Sequence, residues 1–173
     1  HRFEVRPADL PHGEYTSVTG NTALAWGIVA AGQLAKLPVT LGSYPITPAS
    51  DILHELSKHK QFGVRTVQAE DEIAAIGMLA GVSFAGGKPM TSTAGPGLSL
   101  MTEALGLATT TELPMVVVDC QRTGPSTGIP TKPEQSDLYQ ALFSAHGDAP
   151  RVVMAPIDVP ITQSGSIPAS CSA

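Results

Sequence analysis

A chain of 173 residues, 42% hydrophobic, is long enough to bury one real core and too apolar to be disordered or fibrous. Its formal net charge of −5 argues against nucleic acid as a partner. No segment reads as a membrane span or a secretory signal; the stretch around Ala23 to Ala35 is too polar and too broken by glycine.

Residues 1–19 carry prolines and charges and read as a linker or arm. Asn21 or Thr22 is placed to cap a helix running to about Lys36, with Leu24, Ile28, Ala31 and Ala35 on its apolar face. Leu37 to Gly42 is a short apolar strand. The segment Gly42-Ser-Tyr-Pro-Ile-Thr-Pro-Ala-Ser50 follows. Its two prolines keep Tyr44 and Thr47 out of helical conformation, so a rigid turn presents a hydroxyl after a strand. Pro48 then opens a helix striped by Ile52, Leu53 and Leu56, with a polar end at Ser57 to Lys60.

Val64 to Ala69 is the next strand. Asp71 to about Ala85 is the next helix, with Ile73, Ile76, Gly77 and Ala80 as its packing face. Lys88 to Thr93 is a strand and Leu98 to about Thr110 a helix rich in small residues. Pro114 to Asp119 contains an apolar run suited to a strand buried on both faces. Glu134 to Ser144 is a weaker helix and Arg151 to Met154 a final strand. Residues 157–173 lack periodicity and are expected to be disordered, which leaves 20–156 as the folded domain. His1 at the start and this tail at the end read as a piece of something longer.

Strands alternate with helices throughout. The expected fold is α/β and three-layered: a mainly parallel sheet with helices on both faces. In such a sheet the loops after Leu41, Gln68, Thr93 and Asp119 gather along one edge. Tyr44 to Pro48, Glu70 to Glu72, Gly95 to Gly97 and Arg122 to Gly128 then line one crevice.

Each of these motifs also has an ordinary reading. Glu70, Asp71 and Glu72 suit a helix N-terminus simply by complementing its dipole. Gly95-Pro-Gly97 suits a tight turn as well as a close approach to a ligand. Arg122 suits a surface ion pair as well as a planar fork for a carboxylate. Gly86-Gly87-Lys88 has the wrong spacing for a phosphate loop. His54, His59 and His146 lack metal spacing, and no metal site is expected on this chain. Cys120 and Cys171 alone cannot build an iron–sulfur or zinc site. A disulfide between them stays open, and a reduced, cytoplasmic setting is the simpler expectation.

Four segments in order carry a resemblance: Gly-Ser-Tyr-Pro-Ile-Thr-Pro-Ala-Ser, Gln-Ala-Glu-Asp-Glu-Ile-Ala-Ala, Ala-Gly-Pro-Gly-Leu-Ser-Leu-Met and Gln-Arg-Thr-Gly-Pro-Ser-Thr-Gly-Ile-Pro-Thr-Lys-Pro-Glu-Gln-Ser-Asp-Leu. Together they resemble the 2-oxoacid:ferredoxin oxidoreductases, nearest the alpha subunit of the 2-oxoglutarate enzyme, over about Val18 to Pro156. The resemblance implies the pyrimidine-binding domain type of a thiamine diphosphate enzyme. It further implies oxidative decarboxylation of a 2-oxoacid, acyl transfer to coenzyme A and electron transfer to ferredoxin. Mg2+ and the iron–sulfur cluster are implied on a beta subunit that shares the thiamine diphosphate, not on this chain.

The resemblance also implies residue roles. Glu72, with Glu70 as the alternative, places a carboxylate at N1′ of the aminopyrimidine, favouring the imino form that activates the thiazolium C2. Gly95, Pro96 and Gly97 line the cofactor. Thr47 hydrogen-bonds substrate, Arg122 pairs with its carboxylate, and Ser126 and Thr127 lie where oxoacids are selected. Two rival readings remain: another thiamine-dependent decarboxylase, and a non-catalytic interface module. Coenzyme A and interface domains of the family have no counterpart in the sequence, so activity of this chain by itself is not expected.

Overall fold

The computed structural model describes residues 9, 11–144, 146 and 151–154. Among these residues five α-helices and four strands alternate: α1 (Gly20–Ala35), β1 (Val39–Ser43), α2 (Ser50–Leu56), β2 (Val64–Gln68), α3 (Glu72–Phe84), β3 (Lys88–Thr93), α4 (Gly95–Thr110), β4 (Val116–Asp119) and α5 (Asp137–Phe143). A 3-10 segment, Ser57–Phe62, continues α2, so the polar end expected of that helix is a tighter turn. The sheet order is β2-β1-β3-β4 and every pairing is parallel. Helices lie on both faces, giving the three-layer α/β architecture the alternation implies.

One layer is apolar packing of α1 and α2 on the sheet. Ala25, Ile52, Leu53 and Leu56 join Val39, Leu41, Val64 and Met90 in one buried cluster. On the opposite face α3 lies close over β1. A Cβ on Gly42 would come 2.4 Å from Met78 Cε and 3.2 Å from Leu79 Cγ, so a glycine is what lets the helix approach. Buried Ile76, Leu79, Leu98 and Met101 fill that side. The central strand β3 is unusually polar at its end. Thr91, Ser92 and Thr93 are fully buried, and Ser43 Oγ donates to the Ser92 carbonyl at 2.6 Å, tying β1 to β3 near the site edge.

Several expectations need correction. Thr19, not Asn21 or Thr22, caps α1, its hydroxyl accepting from Thr22 N at 3.2 Å. The inward face of α1 is Ala25, Ile28, Val29 and Gly32; Leu24, Ala31 and Ala35 point outward. The α3 face is likewise shifted, to Ala75, Ile76, Leu79 and Ser83, leaving Ile73 56% exposed. α4 starts at Gly95 because Pro96 falls in the first turn, where the missing N–H removes no helical bond. β4 is an edge strand among the described residues, with Val116 55% exposed, and is not buried on both faces. Residues 151–154 carry no regular secondary structure, so the final strand is not formed there. The weaker helix is shorter than expected, as α5. The tail 157–173, with Cys171, and residues 1–8 and 10 of the arm lie outside the described residues. Among the described residues no helix is long and apolar enough to cross a membrane.

Candidate functional site

Strand order places the site. β1 sends its crossover through α2 to β2 on one side, while β3 pairs on the other side of β1. The crossovers thus run to opposite sides of β1, and at this switch between β1 and β3 the carboxyl ends of the parallel strands leave a crevice between departing loops. A cavity of about 520 Å³ opens there, lined by Tyr44, Pro45, Ile46 and Thr47 after β1, Glu72 after β2, Pro96 and Leu100 after β3, and Arg122 and Ser126 after β4. All four loops expected to converge do so.

The first wall is the proline turn. Ser50 N donates to the Ile46 carbonyl at 3.0 Å, closing the turn before α2. Asn21 Nδ2 from α1 donates to the Pro48 carbonyl at 3.0 Å and braces it from behind. Asn21 is therefore a support for the turn instead of a helix cap. Thr47 is exposed at the rim.

The three acids divide their tasks. Asp71 is the N-cap of α3, Oδ1 accepting from Ala74 N at 2.6 Å. Glu70 is exposed and lies outside the cavity lining. Glu72 opens the helix, is 7% exposed and lines the cavity. Its place depends on Gly97. A Cβ there would stand 2.9 Å from Glu72 Cγ and 2.0 Å from Thr93 Oγ1. Gly97 thus lies beneath the glutamate, Pro96 forms wall, and Gly95 lines a smaller adjoining cavity of about 280 Å³ with Ser99, Ser126, Asp137 and Gln140.

Arg122 is not on the surface. It is 5% exposed, and Nη1 and Nη2 donate to the carbonyls of Thr47 and Ser126, each at 3.0 Å. The guanidinium therefore ties the β1 loop to the β4 loop. Its Nε is buried with no partner among the described residues, and no described carboxylate pairs with it. A buried cation with only neutral acceptors is incompletely compensated and favours an anion alongside. Ser126 reaches both cavities, whereas Thr127 is exposed and lines neither.

Three titratable groups near the site are perturbed, and two of them, Asp119 and Asp137, were not singled out in the sequence. Burial first, then the neighbouring Asp137 charge and hydrogen bond, pushes Asp119 up to about 7. Asp137 is also raised, by burial first; its hydrogen bond with Asp119 opposes the rise and the Glu134 charge adds to it. The half-buried Cys120 thiol is pushed up to about 11 by burial, then by the charges of Asp119 and Asp51, which makes it a poor nucleophile. Asp119 closes a strand and Asp137 opens a helix, both ordinary acid positions, so no local signal marks them as a pair.

Residues 31–163 match the family model described as pyruvate flavodoxin/ferredoxin oxidoreductase, thiamine diphosphate-binding. The chain is 64% identical over 154 residues to the 2-oxoglutarate oxidoreductase subunit KorA of Mycobacterium tuberculosis, covering 89% of this chain and 24% of that protein. It is 46% identical over 147 residues to the 2-oxoglutarate synthase subunit KorA of Archaeoglobus fulgidus, covering 84% of this chain and 41% of that one. A solved 2-oxoglutarate:ferredoxin oxidoreductase from Magnetococcus marinus, with 2-oxoglutarate, coenzyme A and succinyl-CoA bound, superposes with a TM-score of 0.68 at 50% identity, over 77% of this chain and 23% of that chain. The chain thus spans between about a quarter and two fifths of these relatives. With four ordered motifs at one sheet edge and a family match over most of its length, the chain belongs to the pyruvate flavodoxin/ferredoxin oxidoreductase family, in its thiamine diphosphate-binding domain.

Proposed function

We propose that this chain, over residues 20–156, forms the aminopyrimidine-binding half of a thiamine diphosphate site. The site belongs to the alpha subunit of a cytoplasmic 2-oxoacid:ferredoxin oxidoreductase acting on 2-oxoglutarate. The observation that carries the reading is one crevice holding a buried carboxylate, Glu72, and a buried guanidinium, Arg122, that has no described anion of its own.

The residues present fit the cofactor. Pro45, Ile46, Pro96 and Leu100 offer apolar walls for a flat ring, and Glu72 brings an acid to that wall. Bound thiamine diphosphate supplies the carbon nucleophile and electron sink for decarboxylation. Glu72 holds a proton at N1′ of the aminopyrimidine, a task for which a carboxylate on a helix N-terminus at a water-poor wall is suited. Glu70 is the weaker candidate because it faces solvent. Gly95, Pro96 and Gly97 shape the turn against which the ring rests. Arg122 and Thr47 orient the oxoacid, Arg122 by a charge-assisted bond to its carboxylate. Ser126, with Thr127 next to it, borders the place where oxoacids differ. The crevice is open on one side, which suits a site completed by a beta subunit carrying Mg2+ and the iron–sulfur cluster, with ferredoxin as electron acceptor.

The test is coenzyme A-dependent reduction of a low-potential dye by the alpha subunit carrying this segment, assembled with its beta partner, with 2-oxoglutarate and pyruvate offered in parallel. Preference for 2-oxoglutarate supports class and substrate together. Activity with pyruvate alone keeps the class and discards the substrate. No reduction by a complex containing thiamine diphosphate and intact clusters overturns the reading in favour of a non-catalytic interface.

A further inference from the structure

Two aspartates, one at the end of β4 and one at the start of α5, have no part in the chemistry above. Asp119 closes β4 and Asp137 opens α5, and their side chains lie within hydrogen-bonding reach of one another. Asp137 is 9% exposed, and its Oδ2 is buried with no partner among the described residues; the same is true of Asp119 Oδ1. Neither forms an ion pair with a described cation. Two ionised carboxylates cannot rest against each other in such a place, whereas an acid and a carboxylate can.

The geometry ties this pair to the crevice. The Asp137 carboxylate lies on Gly95, where a Cβ would come 2.2 Å from Oδ1. Asp137 shares its small cavity with Pro96 and Ser126, and both of those also line the larger one. The Cys120 amide, next to Asp119, donates to the Thr93 carbonyl at 2.8 Å. The pair therefore stands between the α4 turn and the Arg122 loop.

We propose that Asp119 and Asp137 share a single proton, and that this acid–carboxylate hydrogen bond positions the Gly95–Pro96 turn against the loop that carries Arg122 and Ser126. They are positioning residues, and the inference does not depend on which cofactor or substrate occupies the crevice. The other ionisable groups facing the pair are Glu134, beside α5, and the Cys120 thiol, beside Asp119. The Glu134 charge favours retention of the proton, whereas the thiol, pushed up to about 11, is neutral in this range and adds no charge. α4 brings only Gly95, Pro96 and Ser99 to the small cavity, and α5 adds Gln140, all uncharged.

The sign follows from linkage. Asp119 is held at about 7 in the fold against 3.8 for the free side chain. Between those values the folded chain keeps a proton that the unfolded chain releases. Stability then falls as pH rises through that window and levels off above it.

The full chain, wild type, Asp119→Asn and Asp119→Ala, is to be melted from pH 5 to 8.5, with 13C titration of the aspartate carboxyls and amide spectra in parallel. An asparagine donates to Asp137 at every pH. Asp119→Asn is expected to lose the wild-type decline and to melt at least ~2–4 °C above wild type at pH 8. Asp119→Ala melts lower than Asp119→Asn throughout. In wild type one aspartate carboxyl stays protonated at pH 6. The Gly95 and Ser126 amides shift with its midpoint, and stop shifting in Asp119→Asn. All aspartates titrating below pH 5, or Gly95 and Ser126 amides indifferent to pH, would overturn the proposal. The wild-type titration alone decides if the variants do not fold.

Discussion

Glu72 and Glu70 share an acidic run yet stand in different surroundings, and their expected phenotypes differ accordingly. Glu72→Gln in the assembled complex should lower kcat by about 10²-fold or more, because the lost proton transfer acts in the chemical step. Glu70→Gln, on an exposed side chain, should leave dye reduction unchanged. Full turnover in both variants would remove the assigned mechanism. Arg122→Ala should raise KM for the oxoacid about 10- to 100-fold, the loss of a hydrogen bond to a charged group worth roughly 1.5–3 kcal/mol. KM for coenzyme A should hardly move, and an equal rise in both would show that the arginine only ties loops together. At this scale the sequence was readable where a motif is local. Glu72 and Arg122 each follow a strand end, so their convergence in one crevice could be foreseen. The burial of Arg122 could not, because its partners are backbone carbonyls of Thr47 and Ser126, invisible in residue type. Nor could the pairing of Asp119 with Asp137, which depends on where α5 comes to rest.

Elements respond to substitution according to what lies over them, and glycines make the contrast sharp. Gly97→Ala pushes a methyl onto Thr93 Oγ1 and Glu72 Cγ under the site. It should destabilise by about 1–3 kcal/mol in urea unfolding, the usual cost of overpacking, and lower activity as well. Gly77→Ala, on an outward position of α3 with nothing within 4 Å, should instead stabilise by about 0.4–1 kcal/mol through the unfolded chain. Equal losses in the two variants would contradict the packing described. The same small residues explain which part of the fold was illegible. α1 and α3 are rich in Gly and Ala, so their apolar residues do not mark one face, and both were read with the inward face rotated, Ile28 and Ile76 being the positions shared with the observed faces. α2, with Ile52, Leu53 and Leu56 in a compact stripe, has its face where the pattern puts it. β4 misled in another way. Its apolar run suits a strand covered on both sides, yet it ends the described sheet with Val116 exposed.

For the whole molecule, alternation of strands and helices was enough to foresee a parallel three-layer fold, because parallel neighbours require crossovers on the faces. The strand order was not foreseeable from alternation alone, and it is the order that puts the switch in crossover direction between β1 and β3. That order also carries a consequence for how the molecule fails. β1 is held by ladders on both sides, whereas β2 and β4 are both edges among the described strands, and β4 (Val116–Asp119) is the shorter of the two, with Val116 exposed. Local opening should begin there. In native-state hydrogen exchange the Cys120 amide should lose protection well before the amides of β1. Loss of protection in the reverse order would contradict the edge placement. Such an opening removes the strand that delivers Arg122, while the β2-β1-β3 platform and Glu72 stay in place. Mild heat or denaturant should therefore erase recognition of an anionic ligand while most secondary structure persists, so that the circular dichroism of the chain overstates its competence.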